Sequence, residues 1–190
     1  DKYVADTDFV PLPGGSPAAM VDPAYLAQRA ALISPSRSMG TAQPGSFATV
    51  APGRAAPGTE NGTTQITVVD GRGNVVTMTT TVESAFGAFH MTRGGFLLNN
   101  QLTDFSAAPT DAQGLPIANR VQPGKRPRSS MSPTLVFDRR TGQLLMSLGS
   151  PGGPAIIHFT AKTLVGSLQW GLNAQQAIDL PNFGSLNGPS

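Results

Sequence analysis

The sequence contains no cysteine, which excludes disulfide frameworks, thiolate metal sites and a cysteine nucleophile and leaves the redox compartment open. Imidazole is nearly as scarce: His90 and His158 are the only two. Charge is sparse at 13% of residues, and it is not concentrated. Residues 1–62 carry four Lys/Arg against five Asp/Glu, and residues 63–190 nine against six. With a net charge of +2 and no basic stripe, a nucleic-acid partner is not expected. Long apolar runs are missing too. The longest, residues 144–148 and 155–159, fall far short of the roughly 20 residues that a membrane helix needs, and Asp1-Lys2-Tyr3-Val4 opens no signal-like apolar stretch. No membrane partner is expected.

What remains is a 190-residue chain, 39% hydrophobic with mean hydropathy −0.08, enough for one globular core. Glycine (22) and proline (17) are abundant without a Gly-x-y period, so many turns are expected and collagen is excluded. The chain begins at Asp1 rather than Met, which reads as a piece of a longer product.

Residues 23–33 read as a helix, with Asp22 as N-cap, Pro23 at the first position and Tyr25, Leu26, Ala30 and Ile33 as an apolar stripe ending before Pro35. Across residues 34–62, nine of 29 residues are Gly or Pro, and Met39, Phe47 and Val50 are the only large apolar side chains. That composition predicts a mobile linker, too long for an ordinary connection in a compact domain. Strand patterns follow. Residues 64–70 and 75–82 predict a hairpin turning at Asp70-Gly71-Arg72-Gly73-Asn74, residues 134–138 and 143–148 a second hairpin, and residues 96–98 a short buried strand. Residues 100–131 read as a long polar loop. Residues 155–172 predict an apolar helix and residues 174–180 a shorter one, so the class is α+β with helices layered on a mainly antiparallel sheet.

Two features suit chemistry. The turn Gly149-Ser150-Pro151-Gly152-Gly153-Pro154 passes from strand to helix, and such a turn presents backbone N–H groups at the positive end of a helix. A phosphate loop needs Lys-Ser/Thr after the glycines, and Pro154-Ala155 fails that test, whereas an oxyanion hole needs only the amides. The second feature is Gly62-Thr63, at the seam between linker and first strand. Cleavage there makes Thr63 an N-terminal residue whose hydroxyl is activated by its own α-amine, with no histidine required. Two other readings stay open at this point: Thr63 as an ordinary β-branched strand starter, and Asn61-Gly62-Thr63 as a glycosylation acceptor. His158 in an apolar helix and His90 in a loop read as structural residues, without metal-ligand spacing.

The runs Thr63-Thr64-Gln65-Ile66-Thr67-Val68-Val69-Asp70, Leu97-Leu98-Asn99-Asn100-Gln101, Asp104-Phe105-Ser106, Pro123-Gly124-Lys125-Arg126-Pro127, Ser129-Ser130-Met131-Ser132-Pro133-Thr134 and Gly149-Ser150-Pro151-Gly152-Gly153 closely resemble the γ-glutamyltransferase (γ-glutamyltranspeptidase) family of N-terminal-nucleophile (Ntn) hydrolases. The likeness covers residues 63–183 in consistent order. It implies an αββα sandwich, incomplete in this chain, with residues 1–62 as the C-terminal end of the large subunit and residues 63–190 as the nucleophile-bearing part of the small one.

The resemblance also implies roles. Thr63 matches the nucleophile that first cleaves the Gly62–Thr63 bond and then attacks a γ-glutamyl amide, and Thr81 the threonine that positions it. Gln101 and Asp104 match the pair holding the substrate α-amino group, Ser129 and Ser130 the hydroxyls that bind its α-carboxylate, and Gly152 and Gly153 the oxyanion-hole amides. Glu83 departs from the family pattern, standing where many members have Asn, and adds a carboxylate expected near the ammonium subsite. The arginine that pairs the substrate carboxylate belongs to the large subunit and is absent here. Implied partners are glutathione or another γ-glutamyl substrate and the rest of the large subunit, with no metal or cofactor, in a periplasmic or secreted setting. The neighbouring alternatives are a glutaryl (cephalosporin-type) acylase and a non-catalytic piece that stays uncleaved.

Overall fold

The computed structural model describes residues 4–47, 53 and 62–187. The expected linker therefore lies partly outside the described residues, at 48–52 and 54–61, and with it the glycosylation reading of Asn61. Contacts divide the chain into two units.

One unit comprises the described residues of 58–101 and 130–186 and holds all the regular strands. β1 (Thr63–Val69) pairs antiparallel with β2 (Val75–Thr81), and β3 (Thr134–Phe137) with β4 (Leu144–Leu148), as two separate two-stranded sheets. Both expected hairpins are present: β1 and β2 are β-branched runs, β3 and β4 short, mostly apolar ones, and each pair meets at a turn held by an aspartate. Asp70 Oδ1 accepts from the Arg72 and Asn74 amides, and Asp138 Oδ1 from those of Arg140 and Thr141. The hairpins join through hydroxyls and amides: Thr77 Oγ1 donates to the Leu148 carbonyl (3.2 Å), and Gln65 lies between Thr77 (2.8 Å) and Thr79 (2.6 Å). The Gln65 amide also lies against Gly149, where a Cβ would force that side chain to shift. The opposite face of the first hairpin, with Ile66 across from Met78 and Val68 across from Val76, is exposed.

A 3₁₀ turn, Gly153–Ala155, leads into α3 (Ile156–Leu168), which packs on α4 (Ala174–Asp179). Ile156 and Ala177 are buried, and Gly166 lets the helices approach, a Cβ there meeting Ala177 and Leu180 at 3.3 and 3.2 Å. Lys162 Nζ donates to the Ile178 and Leu180 carbonyls at the end of α4. Helix α3 stops four residues before the sequence predicted. Gly171, at φ 67°, turns the chain away, and the Leu172 amide returns to the Gly166 carbonyl. Residues 96–98 also differ from expectation. A single Met91–Leu97 bridge replaces a strand, and Phe96 is 61% exposed, because Thr92 and Phe96 close a tight turn instead.

The other unit comprises the described residues of 1–57, 102–129 and 187–190. Here α1 (Pro17–Met20) is an element the sequence pattern did not announce, and α2 (Pro23–Ala30) begins as expected, Asp22 Oδ1 capping the Tyr25 amide. It ends at Ala30 because Leu32 and Ile33 bond back three residues, tightening the last turn before the serine-proline stop. Residues 102–129 are more than a polar loop. Ile117, Ala118 and Asn119 are buried at its centre, with the Gly53 amide on the Pro116 carbonyl (2.9 Å).

Candidate active site

Antiparallel register puts the first residue of β1 opposite the last of β2, so Thr63 faces Thr81 at the open end of the hairpin. Thr63 Oγ1 donates to Thr81 Oγ1 (3.1 Å), and Thr81 Oγ1 donates to the Gly62 carbonyl (3.1 Å). That carbonyl also accepts the Val82 amide (3.3 Å), so two donors polarise it. The Glu83 amide completes the cluster by donating to Thr81 Oγ1 (2.9 Å). Gly62 admits no side chain, because a Cβ would collide with the carbonyls of Ser84 and Glu83.

Glu83 is buried and holds φ 72°, a left-handed conformation that costs a non-glycine residue about 1–2 kcal/mol. Its carboxylate accepts from Ser84 Oγ (2.7 Å) and Asn100 Nδ2 through the same oxygen, Oε2. Asn100 in turn accepts the Ser84 amide on Oδ1 (3.0 Å) and donates its own amide to the Val82 carbonyl (3.2 Å). The carboxylate expected at an ammonium subsite is thus engaged by the protein's own donors. Ser84 is not singled out in the sequence, and Asn100 enters it only inside the run Leu97-Leu98-Asn99-Asn100-Gln101, with no role attached.

A cleft of about 450 Å³ opens beside this junction, lined by Gly62, Thr63, Thr64, Val82, Ala85, Pro151, Gly152 and Gly153. The threonine and the glycine turn, read separately from the sequence, line one cavity. Gly152 (φ 133°) and the buried Gly153 (φ 52°) take conformations that only glycine adopts without strain, and no side chain caps the helical turn they start. Ser130 Oγ donates to the Gly153 carbonyl (3.0 Å), bringing that serine to the turn.

The remaining expected residues divide. Gln101 opens the 3₁₀ turn Gln101–Asp104, its amide held by Asn99 Oδ1 (2.9 Å), in the same unit as Thr63. Asp104 and Ser129 belong to the other unit, Asp104 buried and Ser129 exposed. His90 is exposed and His158 half-buried. Among the described residues no group of three His, Asp or Glu side chains is placed to hold a metal, and no helix is long and apolar enough to cross a membrane.

The family model described as gamma-glutamyltranspeptidase matches residues 1–189. Glutathione hydrolase proenzyme of Escherichia coli (strain K12) is 40% identical over 187 residues, an alignment covering 96% of this chain and 30% of that protein. The Bacillus subtilis (strain 168) glutathione hydrolase proenzyme is 42% identical over 125 residues, covering 65% of this chain and 20% of that protein. The chain thus spans about 30% or less of the length of these curated relatives. Among solved structures, an acivicin-inhibited gamma-glutamyltranspeptidase superposes with TM-score 0.55 at 35% identity, covering 64% of this chain and 66% of that one. Gamma-glutamyltranspeptidase from Pseudomonas nitroreducens, complexed with L-DON, gives 0.53 at 37% identity, covering 60% and 61%. In sequence and in its part of the Ntn-hydrolase fold, the chain belongs to the gamma-glutamyltranspeptidase family.

Proposed function

We propose that this chain carries the self-cleaving, N-terminal-threonine centre of an enzyme that moves the γ-glutamyl group of glutathione or related γ-glutamyl amides to water or to amino-acid and peptide acceptors. The observation that carries the reading is the hydroxyl cluster at Gly62, Thr63 and Thr81. In the first step Thr63 Oγ attacks the Gly62 carbonyl carbon, the C–N bond breaks, and an ester forms on the hydroxyl. Water then hydrolyses the ester, leaving a Gly62 carboxylate and a free Thr63 α-amine. Polarisation of the Gly62 carbonyl by Thr81 and the Val82 amide favours the addition.

In the second step the freed α-amine serves as the base for Thr63 Oγ, which attacks the γ-carbonyl and expels the amine portion of the donor. The Gly152 and Gly153 amides hold the developing oxyanion. Gln101 and Asp104 hold the donor's α-amino group, a charge-assisted contact for Asp104, and Ser129 and Ser130 its α-carboxylate. Residues 1–62 then end one cleaved piece and pair with the rest of the large subunit. This division follows a covalent bond, whereas the contact units follow packing, so the two boundaries need not coincide.

Thr63→Ala in the full-length protein tests the reading. One uncleaved species by intact mass and no γ-glutamyl release are expected, with Thr63→Ser keeping part of both reactions. Cleavage between residues 62 and 63 persisting in Thr63→Ala overturns it.

A further inference from the structure

The segment of residues 102–129 is organised around one side chain that solvent does not reach: Asn119 is 0% exposed. Its Nδ2 donates to the Asp104 carbonyl (2.7 Å), its Oδ1 accepts the Arg128 amide (2.8 Å), and its own carbonyl accepts the Ser106 amide (2.9 Å). A single carboxamide thereby ties the backbone of Asp104, fifteen residues upstream, to the amide nine residues downstream that immediately precedes Ser129. Lys125 closes the chain between them. It is buried, and its Nζ donates to the carbonyls of Ala118 (2.5 Å) and Arg120 (3.2 Å) and to Gln122 Oε1 (3.0 Å).

Asparagine suits this place for a chemical reason. The position needs one donor and one acceptor on opposite sides of a short planar group, facing the Asp104 carbonyl and the Arg128 N–H. Aspartate offers the acceptor but sets an oxygen against the Asp104 carbonyl. Alanine removes both bonds together.

We infer that Asn119 is a positioning residue for donor recognition, fixing the spacing between the backbone at Asp104 and the backbone at Ser129 so that the two ends of the γ-glutamyl head group meet a preformed pair. This rests on the proposed roles of Asp104 and Ser129. The bonds described for Asn119 run to Asp104, Ser106 and Arg128, and self-cleavage uses no bound donor, so cleavage does not depend on it. The signature is a split: KM for the donor rises while kcat and cleavage are retained.

Asn119→Asp and the milder Asn119→Ser, in the full-length protein, are assayed with a chromogenic γ-glutamyl anilide and by intact mass, beside Asp104→Ala. Complete self-cleavage, KM raised about ten- to a hundredfold and kcat within about threefold of the parent are expected of the Asn119 variants, the size being that of losing one charge-assisted contact to the donor head group. Unchanged KM, a fall confined to kcat, or failure of both variants to accumulate as folded protein overturns the inference in favour of a purely structural role. If Asp104→Ala itself leaves KM unchanged, the donor-recognition reading falls and this inference falls with it. If Asp104→Ala raises KM and the Asn119 variants do not, only the inference fails.

Discussion

The two regions that carry the proposed chemistry are held by different physics. At residues 62–84 the hydroxyls are placed by strand register: once β1 pairs with β2, Thr63 and Thr81 have no choice but to face each other. At residues 102–129 there is almost no ladder, and order comes from buried polar side chains that satisfy backbone groups one by one. Asn119 and Lys125 do this from within the segment. Asp6 does it from elsewhere in the same unit. Its side chain, 1% exposed, accepts from the Arg126 amide (2.8 Å), Nε (3.1 Å) and Nη2 (2.8 Å). Regular hydrogen bonding positions a group cheaply, because each strand residue supports its neighbours. A loop holding comparable order needs a dedicated buried partner for each turn, and each such partner is a point of failure worth about 1–3 kcal/mol when removed.

The contrast is sharpest in kinetics. Gly153→Ala places a side chain on a residue at φ 52° and reorients the turn beside Thr63, so kcat for a γ-glutamyl anilide is expected to fall by about 10² to 10³ while KM changes little. That is the mirror image of the split expected at Asn119. A near-normal kcat with a strongly raised KM erases the distinction between the regions, and the oxyanion assignment with it.

The second probe is pH. The Arg126 guanidinium and backbone amide hold the Asp6 carboxyl well below the usual carboxylate range. A depressed acid stabilises the fold fully above its unfolded value and loses that contribution as pH falls through the folded one. Amide exchange in residues 120–128 is therefore expected to accelerate as pH drops below about 4, after correction for intrinsic rates, while exchange in α3, which carries no carboxylate, does not follow. Asp6→Asn should remove most of this pH dependence. Identical acid profiles for residues 120–128 and α3 count against the clamp.

The smallest effect is expected at Glu83. Asparagine tolerates the left-handed region better, so Glu83→Asn relieves backbone strain while giving up the bonds from Ser84 and Asn100. The two should nearly cancel, leaving thermal stability within about 1 kcal/mol of the parent. A loss above about 3 kcal/mol means that the carboxylate network, not the backbone, governs this corner.

What could be read in the sequence follows the same division. Short apolar or β-branched runs either side of an Asp-to-Gly turn announce both hairpins, and the glycines at 152 and 153 announce a strand-to-helix turn, since each leaves a local compositional mark. Thr63 stands out in the sequence as a candidate by its place at the linker's end and by the motif around it. Asn119 and Ser84 leave no such mark, and Lys125 and Asn100 sit inside motifs without revealing their role, because an asparagine or lysine that satisfies buried carbonyls is spelled like one that faces water. The triplet at residues 96–98 errs the other way, apolar enough to suggest a buried strand yet folded into an exposed turn.

The oxygen of Thr81 also has a direction. It has one proton, and two of its neighbours cannot trade roles: the Glu83 N–H only gives, and the Gly62 carbonyl only takes. The single Thr81 proton must therefore point to Gly62, and Thr63 must be the one that gives to Thr81. When Thr63 Oγ adds to the Gly62 carbon in the proposed cleavage, its proton moves to Thr81 as the Thr81 proton moves to the former carbonyl oxygen. The adduct is reached without a charged intermediate and without an outside base. A chain that has no histidine at this corner has, in two threonines and one peptide carbonyl, a one-way path for the proton it must lose.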